Sequence, residues 1–355
     1  MKISAFFLLV LTFASSVFGA ESPIVISEFV FNDAPFSSCH APTIAETEDG
    51  SLVVAWFAGD REGAPNVAIW SSRLEKGSSE WSEPRIIADA DEEGVPCWNP
   101  VLFQPSNEPL FLFFKQGNSI ARWRGVLQCS EDSGKTWKER LVLPEGFIGP
   151  VKNKPFELPN GEFICPTSTE NNGWLVHFEF ARDFYEQWTK TPPINSPSEG
   201  EAIQPSILSH KDGKLQAICR NRNGNGQLWQ TWSKDFGKTW SKLSPLPLPN
   251  PCSGIDATGL QDGRFLLVYN HATVKTGSRN VLNVAISDNG EDWRAALVLE
   301  NSKGEYSYPS VLQTKDGTIQ IVYTWRREKI KRVVLDPSKI KGEPIQNGNW
   351  PNSVE

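Results

Sequence analysis

The sequence predicts an all-β chain: a six-bladed β-propeller of four-stranded antiparallel blades, the last blade closed by the N-terminal strand. Three observations predict it. A unit of about 50 residues recurs six times, each copy a proline heading an apolar run, then a Gly-centred turn, then a second apolar run. Pro42, Pro100, Pro155, Pro205, Ala257 (in the proline's place) and Pro309 head the copies, at intervals of 58, 55, 50, 52 and 52 residues. A tryptophan keeps the same beat at Trp81, Trp137, Trp188, Trp240 and Trp293. The turns between the short runs are of Asp-Gly type, as at Asp49-Gly50, Asp212-Gly213, Asp262-Gly263 and Asp316-Gly317. A fixed period of this length marks supersecondary units that bury a core only by stacking, and short strands with Asp-Gly hairpins make those units blades.

Taken in chain order, residues 1–20 (MKISAFFLLVLTFASSVFGA) carry one lysine, an apolar stretch from Phe6 and small residues before position 20. This pattern reads as a signal peptide, hence an exported protein; retention as a short anchor or use as a buried first strand are the alternatives. The run is too short to cross a bilayer comfortably, and no later segment is apolar enough, so no membrane span is expected after cleavage. Residues 21–340 read as one propeller domain without a linker, and 341–355 as a polar C-terminal tail. The segment from about Ile24 to Phe31 is expected to complete the sixth blade, since that unit runs out of strands after Leu335 and an open sheet edge would remain.

Composition supports one large core: 355 residues, 39% hydrophobic, with 14 Trp and 20 Phe. Without the leader the chain holds 34 basic and 42 acidic residues, a charge of −8 that disfavours nucleic acid. Six cysteines show no metal-ligand spacing, and no cofactor or metal is implied. In an exported chain they can pair, Cys39 with Cys97 being the favoured couple because each lies three residues before a blade-heading proline; six buried thiols are the alternative.

The fourth unit shows the blade anatomy. Ser206 to Ser209, Lys214 to Arg220 and Gln227 to Trp232 read as strands one to three, and Ser233-Lys234-Asp235-Phe236-Gly237-Lys238-Thr239-Trp240 turns into strand four. In this octapeptide the Asp caps its own turn, Gly takes positive φ and Trp packs between blades. Residues Ser130 to Trp137 repeat it in full, Ser287 to Trp293 repeat it one residue shorter, and Ala181 to Trp188 keep only the Asp and Trp.

Two full Asp-boxes in register with six repeats, and Tyr306-Ser307 opening the last blade, resemble the sialidase (neuraminidase) superfamily, the BNR-repeat proteins, over roughly residues 24 to 336. The resemblance implies a site on the face away from the Asp-boxes, where strand one begins and strands two and three are joined. That face collects His40, Arg61, Glu62, Glu170, His177, Gln204, Arg220, Asp256, His271, Arg279, Tyr306 and Arg326. An Arg-rich mouth on an acidic protein suits an anionic ligand held by guanidinium–carboxylate pairs. Taken singly, each arginine, histidine or acid can equally be a structural partner.

Sialidases hold the substrate carboxylate with three arginines. Arg279 matches the third, Arg61 the additional arginine of blade one, and Tyr306 the nucleophile. Glu62 or Asp60 stands nearest the acid/base position. His40 replaces the blade-one arginine and Gln204 replaces the Glu that takes the tyrosine's proton, with Arg220 close to the remaining arginine position. A neutral tyrosine avoids repulsion by a carboxylate but needs a proton acceptor, because a free phenol titrates near pH 10.

Two departures from the pattern keep three functions open. The first is a hydrolase of a terminal, acidic sugar on a glycan, using Tyr306, Glu62, Asp256 or His40 for chemistry and Arg61, Arg220, Arg279, Glu170, His177, Gln204, His271 and Arg326 for binding. The second is a uronate-cleaving lyase built on His40, Tyr306 and Arg279. The third is a propeller that binds carbohydrate without turning it over. Oligomeric state is not legible.

Overall fold

The computed structural model describes residues 21–90, 94–223 and 225–354; the segment read as a leader lies outside them. Six sheets surround one axis. Their inner strands are Ser38–Glu46, Cys97–Phe103, Phe156–Glu157, Ala202–Ser209, Asp256–Gly259 and Tyr306–Gln313. Each is followed outward by antiparallel neighbours. Helical structure among the described residues is confined to two short 3-10 turns.

Closure follows the expected route. Ile24–Phe29 pairs antiparallel with the third strand of the sixth sheet, Ile26 opposite Val334 and Phe29 opposite Lys331. Beginning and end of the ring thus share one blade, and the edge that would otherwise stay open is covered. Blade five carries an extra strand: Glu343–Pro344 pairs with Arg294 and Ala295. Residues beyond 340 therefore pack back onto the propeller, with Trp350 against His271.

The heading proline has a structural reason. In blades one, two, four and six the inner strand is interrupted by a bulge at that proline, and the residue before it takes positive φ: Ala41 (52°), Asn99 (33°), Gln204 (56°) and Tyr308 (53°). A bulge leaves residues unpaired and re-aims a side chain. Three of these four reach another blade across the axis: Asn99 bonds the Val151 carbonyl, while Gln204 and Tyr308 bond each other.

Blade three differs. Its inner strand is only two residues long because Gly149 to Lys154 leave the sheet and cross the channel. Two buried charges hold that crossing segment. Glu179 accepts from the Ile148 and Gly149 amides (3.2 and 2.7 Å), and Lys115 Nζ donates to the Pro150 carbonyl at 2.7 Å.

The Asp-boxes form as expected. Asp235 accepts from the Thr239 amide and hydroxyl (2.9 and 2.6 Å), and Trp240 Nε1 donates to the Gly237 carbonyl at 2.7 Å. Asp132 makes the same bonds to Thr136; although burial alone would raise its pKa, they hold it at about 2. In blade five Asn289 takes the Asp role. The expected Cys39–Cys97 disulfide is not formed. Both residues are fully buried inside the sheets, and burial pushes the Cys39 thiol far up.

Gly237 and Gly213 both adopt left-handed conformations (φ 83° and 82°), but a Cβ on Gly237 would meet Ile164 Cδ1 in the core, whereas at Gly213 no atom lies within 4 Å. Gly213→Ala is expected to lower unfolding stability by about 1 kcal/mol. Gly237→Ala is expected to cost about 2 kcal/mol more, because overpacking adds to backbone strain. Urea denaturation of the two variants tests the difference; equal midpoints would refute it.

Candidate functional site

The centre of the expected face holds a tyrosine, but it is Tyr308. Its hydroxyl accepts from Arg220 Nη1 at 2.8 Å and from Gln204 Nε2 at 3.3 Å. Its ring lies 4.2 Å from the His40 ring, centre to centre, and 5.7 Å from the Arg279 guanidinium. Tyr306, expected here, is 0% exposed. Its hydroxyl bonds Ser302 at 2.6 Å and its ring packs beside Trp325 in the core between blades five and six. The physical reason is register. Residues two apart on a regular strand share a side, but the bulge between Ser307 and Ser310, with Tyr308 at positive φ, breaks that alternation and turns Tyr308, not Tyr306, onto the axis.

Three arginines from three blades gather here: Arg220 on the Tyr308 hydroxyl, Arg279 beside its ring, and Arg327 joined to Arg279 through Glu305. Arg220, at the end of Leu215–Asn221, lies between two rings, 5.1 Å from Trp174 and 5.8 Å from Tyr308, contacts that hold a guanidinium in one plane. Arg279 precedes Val281–Ser287 and donates to Glu305 at 2.7 Å. Arg327 sits in the turn before Lys329–Leu335 and donates to Glu305 at 2.9 Å and to Glu62 at 2.7 Å. Glu305 thus clamps two arginines side by side; burial opposes its ionisation, but Arg327 and Arg279 hold its carboxyl below the usual range.

His40 is 2% exposed and its Nδ1 is buried without a protein hydrogen bond. Burial, reinforced by Arg327, Arg279, Arg220 and Lys152, drives its pKa well below 6.5, so the ring is neutral. Glu170 lies half-buried in a small recess of about 50 Å³ shared with Trp123, Ser168 and Gln204. Burial pushes its carboxyl above the usual range against the pull of Arg220 and Arg222.

Beneath Tyr308 the axis is plugged by charge. Lys152, 6% exposed, donates to Asn153 Oδ1 (2.8 Å) and to the Ile255 and Pro309 carbonyls (2.8 and 2.5 Å). Lys154 donates to Asp256 at 3.0 Å and to the Val311 carbonyl at 2.7 Å.

The other expected site residues take different places. Asp256, expected to be catalytic, is 1% exposed and accepts from Lys154, Ser206 and the amides of Ala257 and Val311. Its acceptor positions are filled, so it pins the inner strands together. His177 bonds Glu179 at 3.2 Å and braces the crossing segment. His271 is turned to the C-terminal segment, bonding the Gly348 carbonyl at 2.9 Å, with burial lowering it to about 4. Arg326 stacks on Trp325 at 4.4 Å, leaving Arg327 to enter the site. Arg61 is exposed on the loop after Leu52–Gly59. No group of three or more acidic, histidine or cysteine residues suited to a metal occurs among the described residues.

Residues 50–321 match the BNR repeat-like domain family. The chain belongs to that family. This BNR repeat-like propeller resembles a protein of unknown function from Dyadobacter fermentans, with a TM-score of 0.73, 17% identity, and 88% of this chain and 98% of that one covered. It also resembles the intramolecular trans-sialidase of Ruminococcus gnavus solved with oseltamivir carboxylate, at TM-score 0.71 and 14% identity over 91% and 100% of the two chains. The NanB sialidase of Streptococcus pneumoniae superposes at 0.69 and 12% identity, covering 90% and 71%. Among curated proteins no sequence matches. At these identities the likeness is one of fold, that of the sialidase superfamily.

The sequence reading missed Tyr308, Arg327 and Glu305. Tyr308 carried a signal: it precedes Pro309 as Gln204 precedes Pro205 and Asn99 precedes Pro100. Arg327 and Glu305 carried none, since one residue of shift in a turn decides which arginine points inward.

Because burial, reinforced by Arg327, Arg279 and Arg220, holds the His40 pKa well below 6.5, its imidazole carbon shifts are expected to show no titration of their own centred near 6.5. Nuclear magnetic resonance of histidine-labelled protein, with His40→Asn for assignment, reads this directly. A titration centred near 6.5 at His40 would contradict the described electrostatics.

Proposed function

We propose that the protein is an exported, sialidase-like glycoside hydrolase acting on a terminal, acidic sugar of a glycan. One observation carries the reading: a tyrosine hydroxyl held 2.8 Å from Arg220, its ring flanked by Arg279 and a neutral histidine, with Arg327 joined to Arg279 through Glu305. Arg220, Arg279 and Arg327 would receive the sugar carboxylate as bidentate or paired contacts. Tyr308 would attack the anomeric carbon. Arg220 supports the phenolate that forms, an electrostatic role that a preorganised guanidinium fills without reorganisation. Glu170, its carboxyl raised above the usual range by burial, would donate to the leaving oxygen.

The phenolic proton needs a destination. Gln204 is no base, but His40 lies against the Tyr308 ring with Nδ1 unoccupied. Its protonation is opposed chiefly by burial and then by the surrounding cations, and a bound carboxylate would offset the second of these. Substrate binding would therefore raise the basicity of His40, a coupling that a pre-ionised Glu would not need.

The same observation favours a second reading, a uronate lyase. A neutral imidazole with a vacant nitrogen beside arginines is suited to removing a proton next to a carboxylate. Release of reducing ends across sialosides, uronides and neutral glycans, with ultraviolet absorbance for a new double bond, separates the two. Binding without either signal would leave a lectin-like propeller.

With the substrate so found, Tyr308→Phe is expected to lower kcat at least about 100-fold, while Tyr306→Phe stays within a few-fold. Arg327→Ala is expected to raise KM about tenfold or more, the loss of one charge-assisted hydrogen bond. Steady-state kinetics of the three variants decide; a Tyr308→Phe enzyme of full activity would end the hydrolase reading.

A further inference from the structure

The connection between blades four and five brings a thiol to the wall of the anion site. Asn250 cinches that turn, its Oδ1 accepting from the Ser253 amide and its Nδ2 donating to the Ser253 carbonyl, both at 3.1 Å. Cys252 sits within it in a left-handed conformation, φ 60°. Its Sγ accepts from Arg220 Nη2 at 3.4 Å, and its carbonyl accepts from Arg279 Nη2 at 3.3 Å. One residue thus touches both arginines that flank Tyr308.

Two further features show that this corner is built for a ligand. Arg220 is 8% exposed, yet its Nε is buried without a protein partner, and His40 Nδ1 is in the same condition on a residue 2% exposed. The other thiols differ in kind. Cys39, Cys97, Cys165 and Cys219 are buried, and burial pushes those of Cys39, Cys165 and Cys219 far up. Cys129 is partly exposed like Cys252, but it accepts from the Tyr185 hydroxyl at 3.5 Å and has the exposed Lys138 in electrostatic reach, where Cys252 touches two arginines directly.

We propose that Cys252 is a thiol modification site gated by the anion seat: Arg220 and Arg279 draw a carboxylate-bearing electrophile onto Sγ, which attacks it. The proposal rests on the anion-binding reading of these arginines but not on catalysis at Tyr308. In the step, the thiol proton passes to solvent, the sulfur lone pair forms a bond to the electrophilic carbon, and the leaving group departs with the electrons of the broken bond. The adduct leaves its carboxylate beside the arginines, where it occupies the seat of the sugar acid and closes the site. A cationic pocket concentrates anionic reagents.

Iodoacetate and iodoacetamide test this on the full chain, with Cys129 as the internal reference. Each reagent is applied at low ionic strength, and labelling of residues 129 and 252 is followed by peptide mass spectrometry. The iodoacetate-to-iodoacetamide rate ratio is expected to be about tenfold or more higher at Cys252 than at Cys129, to fall on adding salt, and to drop towards the Cys129 value in Arg220→Met and in Arg279→Met. Two arginine variants guard against one that fails to fold, and the salt series needs no variant. Equal ratios at the two cysteines, a Cys252 inert to both reagents, or a preference that survives both substitutions would overturn the proposal. A protein without glycosidase turnover that keeps the preference retains the modification site. One with Tyr308-dependent turnover and no preference loses only the modification site.

Discussion

The constraint on which this propeller depends is the charged crossbar through its axis. Blade three gives up most of its inner strand so that Lys152 and Lys154 can span the channel to blades five and six. Taking an ammonium out of water costs several kcal/mol unless its protons are fully used. Lys152 uses all three, and Lys154 meets the ionised Asp256. Burial nonetheless pulls Lys152 down to about 7, a sign of how dry the axis is. The acceptors are backbone carbonyls of other blades, one of them at Pro309. The crossbar therefore fixes the bulge that presents Tyr308, and fold stability and site geometry share the same bonds.

Above the crossbar, the site is organised by an excess of positive charge. Burial holds one histidine neutral and Arg327, Arg279, Arg220 and Lys152 reinforce it, while Glu305 answers two of the arginines and Glu62 one. A cluster of this kind is stable only if the cations are fixed by something other than a ligand, which the Trp174 and Tyr308 faces and the Glu305 carboxylate provide. On the proposed function, the surplus is what the sugar carboxylate would meet. An acidic chain thereby presents a local cationic well, and net charge says nothing of it.

The site departs from the expected pattern in a connected way. With His40 where an arginine was expected, the third guanidinium comes from the blade-six turn instead, its backbone carbonyl accepting from Cys39 next to that histidine. With Gln204 in place of a carboxylate, the Tyr308 hydroxyl receives two donors and no acceptor from the protein. A substitution at one blade is thus matched by a new contact from its neighbour, as befits a site assembled from six equivalent positions.

Periodicity was enough to fix the number of blades, the closing strand and the Asp-box turns, because these rest on local rules: strand alternation, turn chemistry and the need to cover an edge. The resemblance to sialidases pointed to the face on which His40, Arg220, Gln204 and Arg279 gather. It placed the tyrosine two residues too early, since a bulge adds residues to a strand without announcing itself, although the proline register pointed to Tyr308. Sequence could not tell Arg326 from Arg327, nor see that Asp256 is spent on Lys154 and His271 on the C-terminal segment. Those outcomes depend on which side chain meets which partner across the axis, over separations of fifty to three hundred residues. Local pattern determined the ring; the burial and pairing of charges at its centre were decided only when the ring closed.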